Sequence, residues 1–235
     1  MKIKHTEFSF EESLKFLQEE VAPQLNDGEP IAVFDKLAET GELPSQVVAA
    51  NCTAMYVKVT YKGVRGEKYR ECARHGVMNL VLRIVQSTQS LRLLEIQADG
   101  SLLAVFDTPM KKEVEEIVNV AAQVRSVNEV VLTKLNQNLS DQVVTVGMDY
   151  GQVTSYNTGD ALEEKFFAGS SMLIAKQLTD LREDCVIISD NIYINLSDDF
   201  QNRLFVSHDM RGDVKYHYAP LINIRMHKWV LEQQQ

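Results

Sequence analysis

Leu91-Arg92-Leu93-Leu94-Glu95-Ile96-Gln97-Ala98-Asp99-Gly100-Ser101-Leu102-Leu103-Ala104-Val105-Phe106 decides the fold. Two apolar runs, Leu91 to Ile96 and Leu102 to Phe106, flank Ala98-Asp99-Gly100. An Asp-Gly step between apolar runs predicts a β-hairpin, because Gly, and to a lesser degree Asp, tolerates the left-handed backbone of a tight turn. A hairpin makes its two strands antiparallel, so the sheet that contains it is not wholly parallel.

Upstream of the hairpin, Glu67 to Ser90 carries helical periodicity through Tyr69, Cys72, Val77, Leu80, Val81 and Ile84. Ala54 to Thr60 reads as a buried strand that Gly63 ends. Downstream, Lys111 to Leu135 is a second long helix. Val143 to Met148 and Gln152 to Tyr156 flank Asp149-Tyr150-Gly151, which predicts a second hairpin with Asp149, like Asp99, as a turn residue. Gly169 begins a third helix to about Leu181, with Ser170-Ser171 as its N-cap. Cys185 to Ser189 is a short strand and Asp190 to Leu196 one or two helical turns. Arg203 to Ser207 and Val214 to Tyr218 form a late hairpin around Asp209-Met210-Arg211-Gly212. Hairpins alternating with helices predict an α+β sheet with helices packed on it. Phe8 to Leu25 is an amphipathic helix. Residues 1–50 are expected to form an N-terminal helical extension and 51–235 the main domain.

The 235-residue chain has a net charge of −9 and shows no basic stripe of the kind that binds nucleic acid. Its densest basic run, Lys58, Lys62, Arg65, Lys68, Arg70 and Arg74, reads as a solvated face. Cys52, Cys72 and Cys185 are far apart, with no CxxC pair, which argues against zinc and for reduced thiols. No apolar run approaches the length of a membrane span. A cytoplasmic protein with no nucleic-acid or membrane partner is the expectation. His208 and His217 would face each other across the late hairpin; polar hairpin tips are the simpler account of them than a metal site.

Three stretches in order resemble class III adenylate/guanylate cyclase domains. Ala98 to Phe106 resembles the family's metal-binding hairpin. Val146-Gly147-Met148-Asp149-Tyr150-Gly151-Gln152-Val153 resembles its Ile-Gly-Ile-x-x-Gly-x-Val segment. Phe167 to Leu178 resembles the start of its Gly-x-x-Val-Asn-x-Ala-x-Arg-Leu helix, and Val186-Ile187-Ile188-Ser189 fits the strand that follows. The second stretch also has the flavour of bacterial anti-phage pyrimidine cyclases. The resemblance implies a ferredoxin-like βαββαβ core and a homodimer or cyclase-like heterodimer. It also implies a reaction in which two divalent ions on two carboxylates turn a nucleoside triphosphate into a cyclic monophosphate and pyrophosphate.

The chain departs from that pattern in both halves of the site. Lys58 stands in the place of the first carboxylate, and an ammonium repels a divalent cation. Gly100 stands in the place of the second, with Asp99 one residue early. Leu173 and Gln177 stand where the family has Asn and Arg. Two rescues are conceivable: Asp99 as a metal ligand, with Mg²⁺ or Mn²⁺ then required, and Lys176 in place of the Arg. Lys58 is a candidate point charge for a metal-free triphosphate, and Ser170 a candidate anion contact at a helix start. The expectation is a catalytically degenerate cyclase-like protein, with no cofactor or metal required, that binds a nucleotide or a partner. The alternatives are an active cyclase, with UTP or CTP as possible substrates in anti-phage signalling, and a pure interaction module.

Overall fold

The computed structural model describes residues 9–16, 18–19, 48–134, 141–157, 165–212 and 214–232. Chain order is α1 (Phe10–Phe16), β1 (Val48–Tyr61), α2 (Glu67–Gln86), β2 (Leu91–Ile96), β3 (Leu102–Asp107), α3 (Lys111–Lys134), β4 (Gln142–Asn157) and β5 (Lys165–Ala168). It continues through α4 (Ser170–Leu178), β6 (Val186–Ser189), α5 (Asp190–Tyr193), α6 (Asp198–Leu204), β7 (Ser207–Arg211), β8 (Val214–Ala219) and α7 (Ile224–Glu232). The rest of the helix expected over Phe8 to Leu25, and most of the expected extension, lies outside the described residues.

One mixed sheet runs β2-β3-β1-β4-β6-β8-β7, with β5 paired to β4. The elements β1-α2-β2-β3-α3-β4 are the ferredoxin-like βαββαβ unit, and β1 pairs antiparallel with both β3 and β4. Strand β6 is parallel to β4, reached through β5 and α4. Alternation along the strands divides the side chains between two faces. Met55, Val57, Val59, Val144, Val146 and Met148 meet α2 and α3 in the main core. Ala54 and Tyr56, on the opposite face, meet Ala175 of α4. That second face holds Lys58 as well, by the same two-residue period. The three cysteines are buried and free, and burial pushes the Cys52 and Cys185 thiols up to about 11.

The first hairpin forms as the sequence predicts, with Gly100 in the left-handed region at φ 76°. The second does not exist. Asp149-Tyr150-Gly151 lies inside β4, which runs unbroken along the whole of β1 from Gln142 to Ser155. Gly147 serves helix packing instead of a turn. A Cβ at Gly147 would sit 2.1 Å from the Ala175 carbonyl oxygen, so only glycine lets α4 lie this close to the sheet. The late hairpin is real but its first strand is Ser207–Arg211, because residues up to Leu204 belong to α6. Helix α4 ends at Leu178, and Gly169 holds the N-cap position without a side-chain cap, in place of the expected serines. Helix α6 and strand β5 have no counterpart in the sequence reading.

Candidate functional site

The turn end of the β2–β3 hairpin meets β1 and α4, and there the second sheet face gathers its charged and hydroxyl groups. Tyr56 on β1 points to this face and its hydroxyl donates to Asp99, 3.2 Å from Oδ2. The Ser101 backbone N–H donates to Asp99 Oδ1 at 3.0 Å, and the Ser101 hydroxyl donates to the same oxygen. Tyr56 Oη and Ser101 Oγ are themselves 2.5 Å apart. Lys176, projecting from α4, brings Nζ to 4.0 Å from Asp99 Oδ2 and 5.5 Å from the centre of the Tyr56 ring. Partial burial pulls the Asp99 carboxyl up, but the Ser101 and Tyr56 hydrogen bonds and the Lys176 charge outweigh it and hold its pKa below 3.8.

Asp99 carries no left-handed strain; that falls on Gly100. A Cβ on Gly100 would also stand 2.8 Å from the Arg74 guanidinium carbon. Arg74 Nη1 donates to the Asp99 carbonyl oxygen at 3.1 Å while Nη2 pairs with Glu71 at 2.5 Å. The turn is thus fixed on both sides, by α2 through its backbone and by β1 through its carboxylate.

Lys58 sits two residues along β1 from Tyr56, on the same face. Its Nζ is 2.6 Å from Asp180 Oδ1, just past the end of α4. Just past the end of β1, Lys62 pairs with Glu183 at 2.5 Å. The structure therefore brings Asp99 and Lys176 together and sets Lys58 nearby in its own ion pair. Ser170 is exposed in the first turn of α4, and no hydrogen bond or ion pair joins it to these three. Two helical turns separate it from Lys176. Leu173 is largely exposed and Gln177 exposed, on the α4 surface that does not meet the sheet.

Tyr56, Ser101, Arg74 and Asp180 belong to this cluster, and the sequence reading passed them over. Tyr56 had a signal, two residues from Lys58 on a strand; Asp180, past the end of α4 and paired to a residue 122 positions away, had none. Arg74 and Ser101 had none that a single sequence displays.

A pair of divalent ions takes several oxygen ligands, carboxylates first. Here Asp99 and Asp180 each face an ammonium, and Tyr56 and Ser101 already occupy Asp99. Among the described residues no group of three or more His, Cys, Asp or Glu side chains assembles to hold a metal. The donor set does not fit a two-metal centre.

Further along the same face, Asp149 is buried in β4 and accepts from the Ser189 hydroxyl and, at 3.3 Å, from Asn191 Nδ2. Ser189 Oγ also accepts from Ile192 N and so caps α5. Burial raises the Asp149 carboxyl above 3.8, against the pull of those hydrogen bonds. Asp149 ties two strands and a short helix together, rather than turning the chain.

No protein-family profile matches the chain, and no curated protein matches its sequence. Solved structures do match. A dimeric guanylyl cyclase domain of the RhoGC fusion protein from the aquatic fungus Blastocladiella emersonii is 14% identical, over 77% of this chain and 100% of that one, with a TM-score of 0.58. The adenylyl cyclase CyaB from P. aeruginosa is 12% identical over 74% and 95%, with a TM-score of 0.58. A bacterial light-regulated adenylyl cyclase is 10% identical over 80% and 57%, with a TM-score of 0.60. Among the described residues no helix is long and apolar enough to cross a membrane. The chain has the fold of class III nucleotide cyclase catalytic domains.

Proposed function

We propose that this chain is a catalytically degenerate cyclase-fold protein that acts by binding, with a nucleotide or a second cyclase-fold chain as its partner. The observation that carries this reading is the Asp99–Lys176 pair. The one carboxylate of the hairpin turn is matched by an ammonium and two hydroxyls from its own chain. An ammonium in that position opposes the capture of a dication. Lys58 adds a second positive charge where a carboxylate would be needed, and it is engaged with Asp180. Leu173 offers no hydrogen bond to steady a ribose, and Gln177 no charge to meet one developing on a phosphate. The matched cyclase domains include one described as dimeric, which supports a second chain as the partner class.

The test is product formation. Purified protein is incubated with ATP, GTP, CTP and UTP in turn, with Mg²⁺ and with Mn²⁺. The expected result is no cyclic monophosphate above a heat-denatured control. A cyclic product overturns the reading. A product that Asp99→Ala abolishes would establish an active enzyme in its place.

A further inference from the structure

Strand β7 is an edge strand whose five residues are all exposed. Its register with β8 sets His208 directly opposite His217. The two rings lie 5.8 Å apart, centre to centre, tilted by 47°. His217 is buried, at 2% exposure, while His208 is exposed.

The surroundings of His217 fix both its plane and its tautomer. The Tyr193 ring of α5 stacks on it at 3.7 Å and 2°. Its Nε2 lies 3.1 Å from Asp190 Oδ1. An ionised carboxylate only accepts, so Nε2 carries the proton, and in the neutral ring Nδ1 is a bare lone pair. That Nδ1 is buried and has no hydrogen-bond partner. A buried lone pair without a partner calls for a water or an ion. A carboxylate on one ring nitrogen with a free lone pair on the other is the arrangement that orients a metal-binding histidine and raises its basicity. Lys215 is the cation nearest this carboxylate, 3.6 Å from Asp190 Oδ1.

We propose that His208 and His217 form a seat for one late first-row divalent cation, of the Zn²⁺ class, on the β7–β8 hairpin. Two metal–nitrogen bonds of about 2.0–2.1 Å place imidazole centres roughly 5–6 Å apart, which the ring separation matches. Among the described residues no group with a third His, Cys, Asp or Glu ligand forms, so water completes the coordination. Imidazole suits Zn²⁺, Ni²⁺ and Cu²⁺ and discriminates against Mg²⁺ and Ca²⁺, which prefer oxygen. A bound ion would fasten the edge strand to β8 and, through His217, to α5. The seat shares no residue with the Asp99–Lys176 cluster and does not depend on the proposed function.

The test is calorimetric titration of ZnCl₂ into the full chain at neutral pH. One equivalent is expected to bind. His208→Gln changes an exposed side chain, leaves folding intact, and is expected to weaken binding at least tenfold. Asp190→Asn, which removes the charge behind the ring together with its Lys215 pair, is expected to weaken it by about tenfold to a hundredfold. No binding by the native chain, or binding that His208→Gln leaves unchanged, overturns the proposal and leaves an ordered water as the partner of Nδ1.

Discussion

Lys176 Nζ stands 4.0 Å from Asp99 Oδ2, across the gap between α4 and the β2–β3 turn. Both side chains are about half exposed, so the charge pair itself contributes little. Lys176→Met is expected to cost less than about 1 kcal/mol. Asp99→Asn is expected to cost more, about 1–2 kcal/mol, because the carboxylate also accepts from Tyr56 and Ser101. The folded pKa of Asp99 is below 3.8. Its contribution is therefore present above that value and lost as pH falls through the lower folded pKa. Urea unfolding of both variants at neutral and acid pH measures the difference.

Asp149 has the opposite sign. Its folded pKa is raised above 3.8 by burial. The unfolded chain gives up the proton first, so this group costs stability as pH rises from 3.8 through the folded value. Asp149→Asn keeps an acceptor for Ser189 and removes the ionisation. Its urea midpoint at neutral pH is expected to equal or exceed that of the native chain, with the slope over that pH range flattened. Asp149→Leu leaves the buried Ser189 hydroxyl without this acceptor and is expected to cost about 1–3 kcal/mol.

Two glycines of β4 separate packing from turn chemistry. At Gly147 a Cβ meets the Ala175 backbone oxygen at 2.1 Å, and at Gly151 it meets only the Ser171 side chain, at 3.5 Å and beyond. Gly147→Ala is expected to destabilise by about 3 kcal/mol or to prevent folding, since a backbone carbonyl cannot move as a side chain does. Gly151→Ala is expected to fall within about 1 kcal/mol of the native chain. Thermal melts of the two variants check the contrast.

Trp229 is the single tryptophan of the chain. It lies half-buried on α7 and stacks on Phe10 of α1, ring centres 5.3 Å apart at 21°. Phe10→Ala is expected to expose the indole, with a red shift of emission and more rapid quenching by iodide. Unchanged emission would show that α1 does not rest on α7 in solution.

The elements most legible in the sequence are those whose information is local. Asp99-Gly100 between two apolar runs announces a hairpin, and the structure places Gly100 at the positive φ the turn requires. The helices over Glu67–Gln86 and Lys111–Lys134 show their periodicity openly. Strand β5 and helix α6 were not legible: four and seven residues are too short for a period to emerge from noise.

The sequence by itself determined the α+β class and the first hairpin, because each follows from residues near one another in the chain. Tertiary structure alone decided that Asp149-Tyr150-Gly151 is strand, since the helix backbone that excludes a side chain at Gly147 comes from Ala175, 28 positions away in the chain. It alone matched Asp99 to Lys176 and Lys58 to Asp180, and left the His217 Nδ1 buried without a partner. Whether a charge is free or spent depends on what stands within a few ångströms of it, and that distance is set by how the sheet and helices pack.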